Sequence, residues 1–548
     1  MKKSRKSICA VICVLLCALL GISGCSGKQE TAGGSESAVF SVQMLDYNKA
    51  LEPGTWDDNY RTTYEIFVYS FCDSNGDGIG DINGIRSKLD YIKDLGFTAI
   101  WLTPVHPSQT YHKYDVDDYY AIDPVFGTME DYEAFLSECH DRGIEVYMDL
   151  VLNHTSDDNQ WFKEAAAYFE QLPEGWEPDP SYCKYCDYYN FTRQPGDGYA
   201  PLEGTEWYYE ARFWNEMPDL NLESEAVRGE IRDIMTFWLG KGVDGFRLDA
   251  VTSYKTGDPA KNTEILRSIV NTGRSIDPGC YFVAEAWTDR NEIAQYYSSN
   301  IDSLFNFPFS NNEGFIAKII SGSYKASDYV KGMLLAEEAY GAANPNFVDA
   351  PFYTNHDMGR SAGYYTNDEG PITKMAYAMS LFQTGNSFVY YGEEIGMKGA
   401  GKDENKRAPM YWSDDANDPD MCAGPPEMDA VKMKFPSLKD QMEDDMSLYT
   451  WFREVIKVRN AFPQIARGKT EGVDTISDDN VAAFYRRHKA IGDLLIVMNL
   501  RGETVEKDLS GLGELELAAV LNTNEESITF EGGKLTLPAY SISVFTVE

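Results

Sequence analysis

Four short apolar runs, each closing on ionisable or amide side chains, constrain this chain more than any other feature. They are Val146 to His154, Val243 to Ala250, Tyr281 to Trp287 and Phe352 to Asp357. Runs of this length, punctuated by glycine or polar residues, read as buried strands. Polar residues gathered at strand C-termini suit a parallel barrel, whose loops at that end build the site. Within the second run Arg247 and Asp249 stand two apart, so a strand points both side chains to one face. A guanidinium beside a carboxylate favours its charged form, as a carboxylate nucleophile needs. In the third run Glu285 sits among Val283, Ala284 and Trp287. Apolar surroundings raise a carboxyl pKa and suit a general acid.

Taken in order, the four runs resemble the four sequence regions of the alpha-amylase family, glycoside hydrolase family 13. The likeness extends from about Tyr64 to the end of the chain. It implies a (β/α)8 TIM barrel of class α/β, with an inserted domain B and a C-terminal antiparallel β-sandwich. It also implies retaining hydrolysis of a neutral α-glucan, the division of labour that two carboxylates in opposed environments permit. Asp249 is then the nucleophile, Glu285 the acid and base, and Asp357 the third carboxylate, binding sugar hydroxyls. Arg247 orients Asp249, while His154 and His356, each following an Asn, hydrogen-bond the same sugar. The loop Tyr111 to Asp115 offers an aromatic face for a pyranose, with polar groups for its hydroxyls. By resemblance Tyr114 is the platform beside the cleaved bond, flanked by His112 and Asp115.

The run Met217 to Asn221 resembles a fifth family region, in the form of alpha-amylases intermediate between oligo-1,6-glucosidases and neopullulanases. Ala250 stands where the exo-acting α-1,6 branch typically carries Val, which favours an endo-acting α-1,4 enzyme. Exo-acting glucosidase and transglycosylase readings stay open within the family. The complete set Asp249, Glu285 and Asp357 argues against a non-catalytic barrel or glucan-binding protein. Thr252 and Ser253 replace a Lys-His pair common in alpha-amylases, which puts a second calcium between domain B and the barrel in doubt.

Between the first strand and helix, Asp73-Ser74-Asn75-Gly76-Asp77-Gly78-Ile79-Gly80-Asp81 alternates oxygen donors with glycines. Asp73, Asn75, Asp77, the carbonyl of Ile79 and Asp81 would supply a hard cation such as Ca2+. Gly84 occupies the twelfth position, where an EF-hand has Glu, and the family's oligo-1,6-glucosidase-like branches hold calcium in such a loop.

The N-terminus joins Lys2, Lys3, Arg5 and Lys6 to an apolar run from Ile8 to Leu20, too short for a membrane span and shaped like a secretory signal. It ends Leu20-Gly21-Ile22-Ser23-Gly24-Cys25, which resembles a bacterial lipoprotein box. The expected domains are a signal peptide (1–24), a flexible tether (25–45), the barrel (46–154 and 217–462), domain B (155–216) and the sandwich (463–548). The last is read from short alternating runs separated by Gly, Asn and Asp. The expectation is a monomer on the outer face of the cytoplasmic membrane, held only through lipidated Cys25. With 548 residues and a formal net charge of -39, the surface repels nucleic acid and anionic lipid and is indifferent to neutral polysaccharide. Cys183 and Cys186 read as a loop disulfide or two free thiols.

Overall fold

The computed structural model describes residues 43–44 and 58–547. The leader, Cys25 and most of the tether lie outside the described residues. Among those described, no helix is long and apolar enough to cross a membrane.

Seven strands form a wholly parallel sheet: Thr62–Ile66, Ala99–Leu102, Glu145–Leu150, Gly245–Leu248, Tyr281–Ala284, Ser303–Leu304 and Ser387–Tyr390. The sheet closes through parallel bridges from Phe305 to Ala350 and from Phe352 to Phe388. The runs Ile301 to Phe307 and Asn346 to Tyr353 predict the sixth and seventh staves, which are reduced to a two-residue strand and two bridges. Asp302, Asn306 and Asp349 take over part of the ladder there, with Asn306 donating to Asp349 (2.7 Å) and Asp302 accepting from the Phe282 amide (3.0 Å).

Period-two alternation divides each strand between two cores. Ala99, Trp101, Tyr147, Tyr281 and Val283 turn inward with Phe305, Phe352 and Phe388, filling the barrel. Ile100, Leu102, Phe246, Leu248, Phe282 and Ala284 turn outward to the helices. Helix Glu225–Lys241 is capped by Ser224 and ends at Gly242 (φ 105°), which reverses the chain into strand Gly245–Leu248. Apolar spacing from Ile82 to Leu95 predicts one helix, but it is split at Lys88 (φ -106°), whose ammonium leaves for Asp420 (2.5 Å).

Domain B folds helix Gln160–Gln171 onto a small antiparallel sheet, with Phe162, Phe169, Phe191, Trp207 and Tyr209 packed ring against ring. Beyond the barrel, strands Lys469–Gly472, Val481–Arg487, Asp493–Asn499, Leu515–Asn522 and Ser541–Val547 make an antiparallel sheet, faced by Val505–Asp508, Thr529–Glu531 and Lys534–Leu537. Val481, Leu495, Val497, Leu535 and Phe545 fill the space between them, giving the expected sandwich. Gln43–Met44, within the range read as tether, pairs antiparallel with Val520 and Ala519 at the sheet's edge. All six described cysteines, Cys183 and Cys186 included, are free thiols.

Candidate active site

Gly245 opens the central strand because a Cβ there would collide with the Tyr281 carbonyl of the neighbouring strand. Two residues on, Arg247 turns into the barrel, its side chain 1% exposed, with the guanidinium 5.0 Å over Trp101. One terminal nitrogen donates to Asp149 Oδ1 (2.9 Å) and Asp249 Oδ1 (2.6 Å), the other to Glu285 Oε2 (2.6 Å). Asp149 Oδ2 also accepts from Trp101 Nε1 (3.2 Å) and the Tyr114 hydroxyl (3.0 Å). Ala250, in the left-handed region at φ 46°, donates its amide to Glu285 Oε2 (3.3 Å).

A second group adjoins the first. His356 Nδ1 faces Glu65 Oε1 (2.7 Å), while Nε2 faces the Tyr114 hydroxyl (2.7 Å) and Asp357 Oδ2 (3.2 Å). Its ring stacks on Tyr114 at 5.4 Å and 9°. Arg407 donates to Asp357 Oδ1 (2.8 Å) and to the Tyr111 hydroxyl (2.8 Å). His112 Nδ1 accepts from the Tyr114 amide (3.1 Å), so Nε2 carries the proton of the neutral ring. Asp115 accepts from Ser108 Oγ (2.6 Å) and from Thr110 Oγ1, and lies 3.9 Å from His112. His154 is buried 5.2 Å from the Phe213 ring, with Nε2 lacking a hydrogen-bond partner.

Charge is unevenly shared. Burial pushes the Glu285 carboxyl up to about 7 against the pull of Arg247, and the charges of Asp249 and Asp357 add to the rise. Burial likewise raises Asp249 against Arg247, with Asp149 adding to it. Here the sequence reading needs correction. Arg247 does not hold Asp249 alone, because one guanidinium is divided among three carboxylates and cannot fully offset the desolvation of any of them. Burial also opposes ionisation of Asp357, yet His356, Arg407 and Arg247 together outweigh it and bring that carboxyl down to about 2. Burial takes His112 and His154 down to about 4, so both are neutral. His356 goes up: burial opposes its charge, but Asp357 and Glu65 prevail.

All nine residues assigned to catalysis and sugar binding thus gather at the C-terminal end of the barrel. The same cluster includes Glu65, Trp101, Asp149 and Arg407, to which sequence reasoning gave no role there. Asp149 stood inside the run Val146 to His154, and Arg407 opens a stretch, Arg407 to Trp412, that resembles a further family segment bordering the cleft. Glu65 carried no signal beyond its place in the first strand.

The five predicted calcium ligands lie elsewhere, in the loop after that strand. Asp73 accepts from the amides of Asn75 (3.0 Å), Gly76 (2.7 Å) and Gly78 (2.7 Å), Asn75 from Asp77 (2.9 Å), and Asp77 from Ile79 (2.8 Å). Gly76 (φ 84°) and Gly78 (φ 88°) supply the left-handed turns. Asp81 caps the following helix through the Gly84 amide (2.7 Å) and accepts from Ser74. The all-oxygen donor set fits a hard cation. Among the described residues, however, no three Asp, Glu, His or Cys side chains converge as a ready-made cage.

A parallel barrel carrying opposed carboxylates at its C-terminal mouth defines a glycoside hydrolase barrel. The pattern described as the alpha amylase catalytic domain matches residues 65–468, and that of the alpha-amylase SusG C-terminal domain matches 481–544. The chain therefore belongs to the alpha-amylase family, glycoside hydrolase family 13. A solved structure, Eubacterium rectale Amy13B, is 47% identical, with a TM-score of 0.89 over 91% of this chain and 97% of its own. Alpha-amylase 3 of Dictyoglomus thermophilum is 34% identical, spanning 88% of this chain and 92% of the relative. The oligo-1,6-glucosidase of Heyndrickxia coagulans is 30% identical, spanning 81% and 92%.

Proposed function

We propose that this protein is a retaining, endo-acting alpha-amylase that cleaves internal α-1,4 bonds of starch and maltooligosaccharides. The observation that carries the reading is the Arg247 fork, which holds Asp249 and Glu285 on its two terminal nitrogens at 2.6 Å each. A pair bridged this closely suits the roughly 5–5.5 Å carboxyl separation of retaining enzymes. Asp249 attacks the anomeric carbon as Glu285 passes its proton to the leaving glycosidic oxygen. Glu285, now ionised, takes a proton from the water that resolves the glycosyl-enzyme. Asp357, ionised and aimed by Arg407, binds hydroxyls of the distorted sugar, and a sugar hydroxyl is the natural partner for the orphaned His154 Nε2.

Endo action is supported by Ala250, which stands where the exo-acting α-1,6 branch typically carries Val, whereas Asp115, held by Ser108 and Thr110, discriminates little between the two branches. The oligo-1,6-glucosidase relative keeps exo action on α-1,6 bonds as the second reading. We further propose export, lipidation at Cys25 and action as a monomer, with Asp73, Asn75, Asp77, Ile79 and Asp81 holding a structural Ca2+. Bound there, the ion would fix the loop and take no part in the chemistry.

Digestion of soluble starch tests the central reading. Early products should be mixed short maltooligosaccharides released as the α-anomer. Glucose alone, or faster turnover of isomaltose than of maltotriose, would establish the exo reading, and β-anomeric products would overturn retention.

A further inference from the structure

Domain B carries two large aromatic side chains that nothing in the catalytic cluster uses. Trp176 is 64% exposed and Tyr182 is 83% exposed, whereas most other described tryptophans are buried or half-buried. Trp and Tyr side chains left this open forfeit much of the burial that normally stabilises them. Neither ring packs against another ring among the described residues.

The segment bearing them, Pro173 to Tyr182, is built to hold its shape. Pro173, Pro178 and Pro180 restrict the backbone, and no Leu, Ile, Val or Met occurs in it. Arg193 latches its first half, donating to Glu177 Oε1 (2.6 Å) and to the Trp176 carbonyl while lying 4.1 Å over Trp207. Glu206 pairs with Arg193 (3.0 Å) and accepts from the Gly175 amide (2.8 Å). The Tyr168 hydroxyl fixes the second half through the Asp179 amide (2.9 Å), and the Tyr182 amide donates to the Asp179 carbonyl (3.0 Å). Both rings are thus presented from an ordered support, which spares a ligand the cost of ordering it.

We propose that Trp176 and Tyr182 form a second α-glucan-binding surface, separate from the cleft, that holds polymeric substrate. This rests on the α-glucan reading above. Six residues span at most about 20 Å, the scale of a few consecutive sugars. An aromatic face with polar neighbours matches a pyranose, which offers an apolar face and a hydroxyl rim. A protein interface would bring a contiguous apolar centre, which this segment lacks. Glu174, Glu177 and Asp179 on the same segment repel nucleic acid and anionic lipid.

Native electrophoresis through gels containing amylopectin tests the proposal, run in an Asp249→Asn background so that the gel is not digested. The parent should be retarded. Trp176→Ala combined with Tyr182→Ala should weaken retardation about tenfold in apparent affinity, and Arg193→Ala should weaken it partly. The same surface substitutions in the active enzyme should leave kcat/KM on maltotriose unchanged. Undiminished retardation of the double variant, or no retardation of the parent, overturns the proposal. Absence of activity on both starch and maltotriose would instead refute the proposed function.

Discussion

The proton economy of the cluster explains why its carboxyls differ. Glu65, Asp149, Asp249, Glu285 and Asp357 share Arg247, Arg407 and His356. Cations are too few to offset every buried carboxyl, and burial together with Asp249 and Asp357 raises Glu285 to about 7, which makes it a carboxyl that keeps a proton. A general acid must be protonated in the free enzyme, so kcat/KM should fall as pH rises through about 7. The acid limb should follow Asp249, whose burial sets it above the ordinary carboxylate range. A pH profile on maltotriose checks both, and an alkaline limb beyond pH 9 would rule out Glu285 as the acid. At this scale the sequence showed which side chains matter, because Arg247 and Asp249 lie two apart, one on the strand and one just past its end. It could not show that Arg247 serves three carboxylates, since Asp149 and Glu285 arrive from other strands. Arg407 escaped for the same reason: its partner Asp357 lies 50 positions upstream.

Elements with strong local patterns were legible, and those fixed by distant neighbours were not. The strands around Asp149, Asp249 and Glu285 fall where their apolar runs predict them. The sixth and seventh staves are short because buried polar groups from Asp302, Asn306 and Asp349 replace ladder bonds. Helical periodicity runs straight through Lys88, yet the backbone leaves helical geometry there (φ -106°, ψ 6°) and its ammonium pairs with Asp420 of a remote segment. That same segment braces the loop Asp73 to Asp81, with the Ala423 amide donating to the Gly78 carbonyl (2.7 Å) and the Asp73 amide to the Asp420 carbonyl (3.3 Å). If the loop holds Ca2+, chelation should lower the melting temperature of the whole enzyme while its product pattern stays the same. Calorimetry before and after chelator, with metal analysis, decides it. An unchanged melting temperature with no bound calcium would dismiss the ion.

Barrel and sandwich are joined by specific polar contacts. Arg486 reaches the Phe382 carbonyl (2.6 Å), Arg501 the Ile319 carbonyl (2.7 Å), and the Ala326 amide donates to the Asp479 carbonyl (3.1 Å). Arg486 is fully buried, so separating the two parts would strand its charge. Heating should therefore produce one unfolding transition, and two resolved endotherms in a calorimetric scan would contradict that coupling. The architecture of both parts was legible from alternation and turn residues, whereas Arg486 and Arg501, which weld them, carry no local pattern. The pairing of Gln43–Met44 with Val520 and Ala519 has a mechanical meaning. A pull applied at residue 43 would load this two-residue zipper at the rim of the sandwich first.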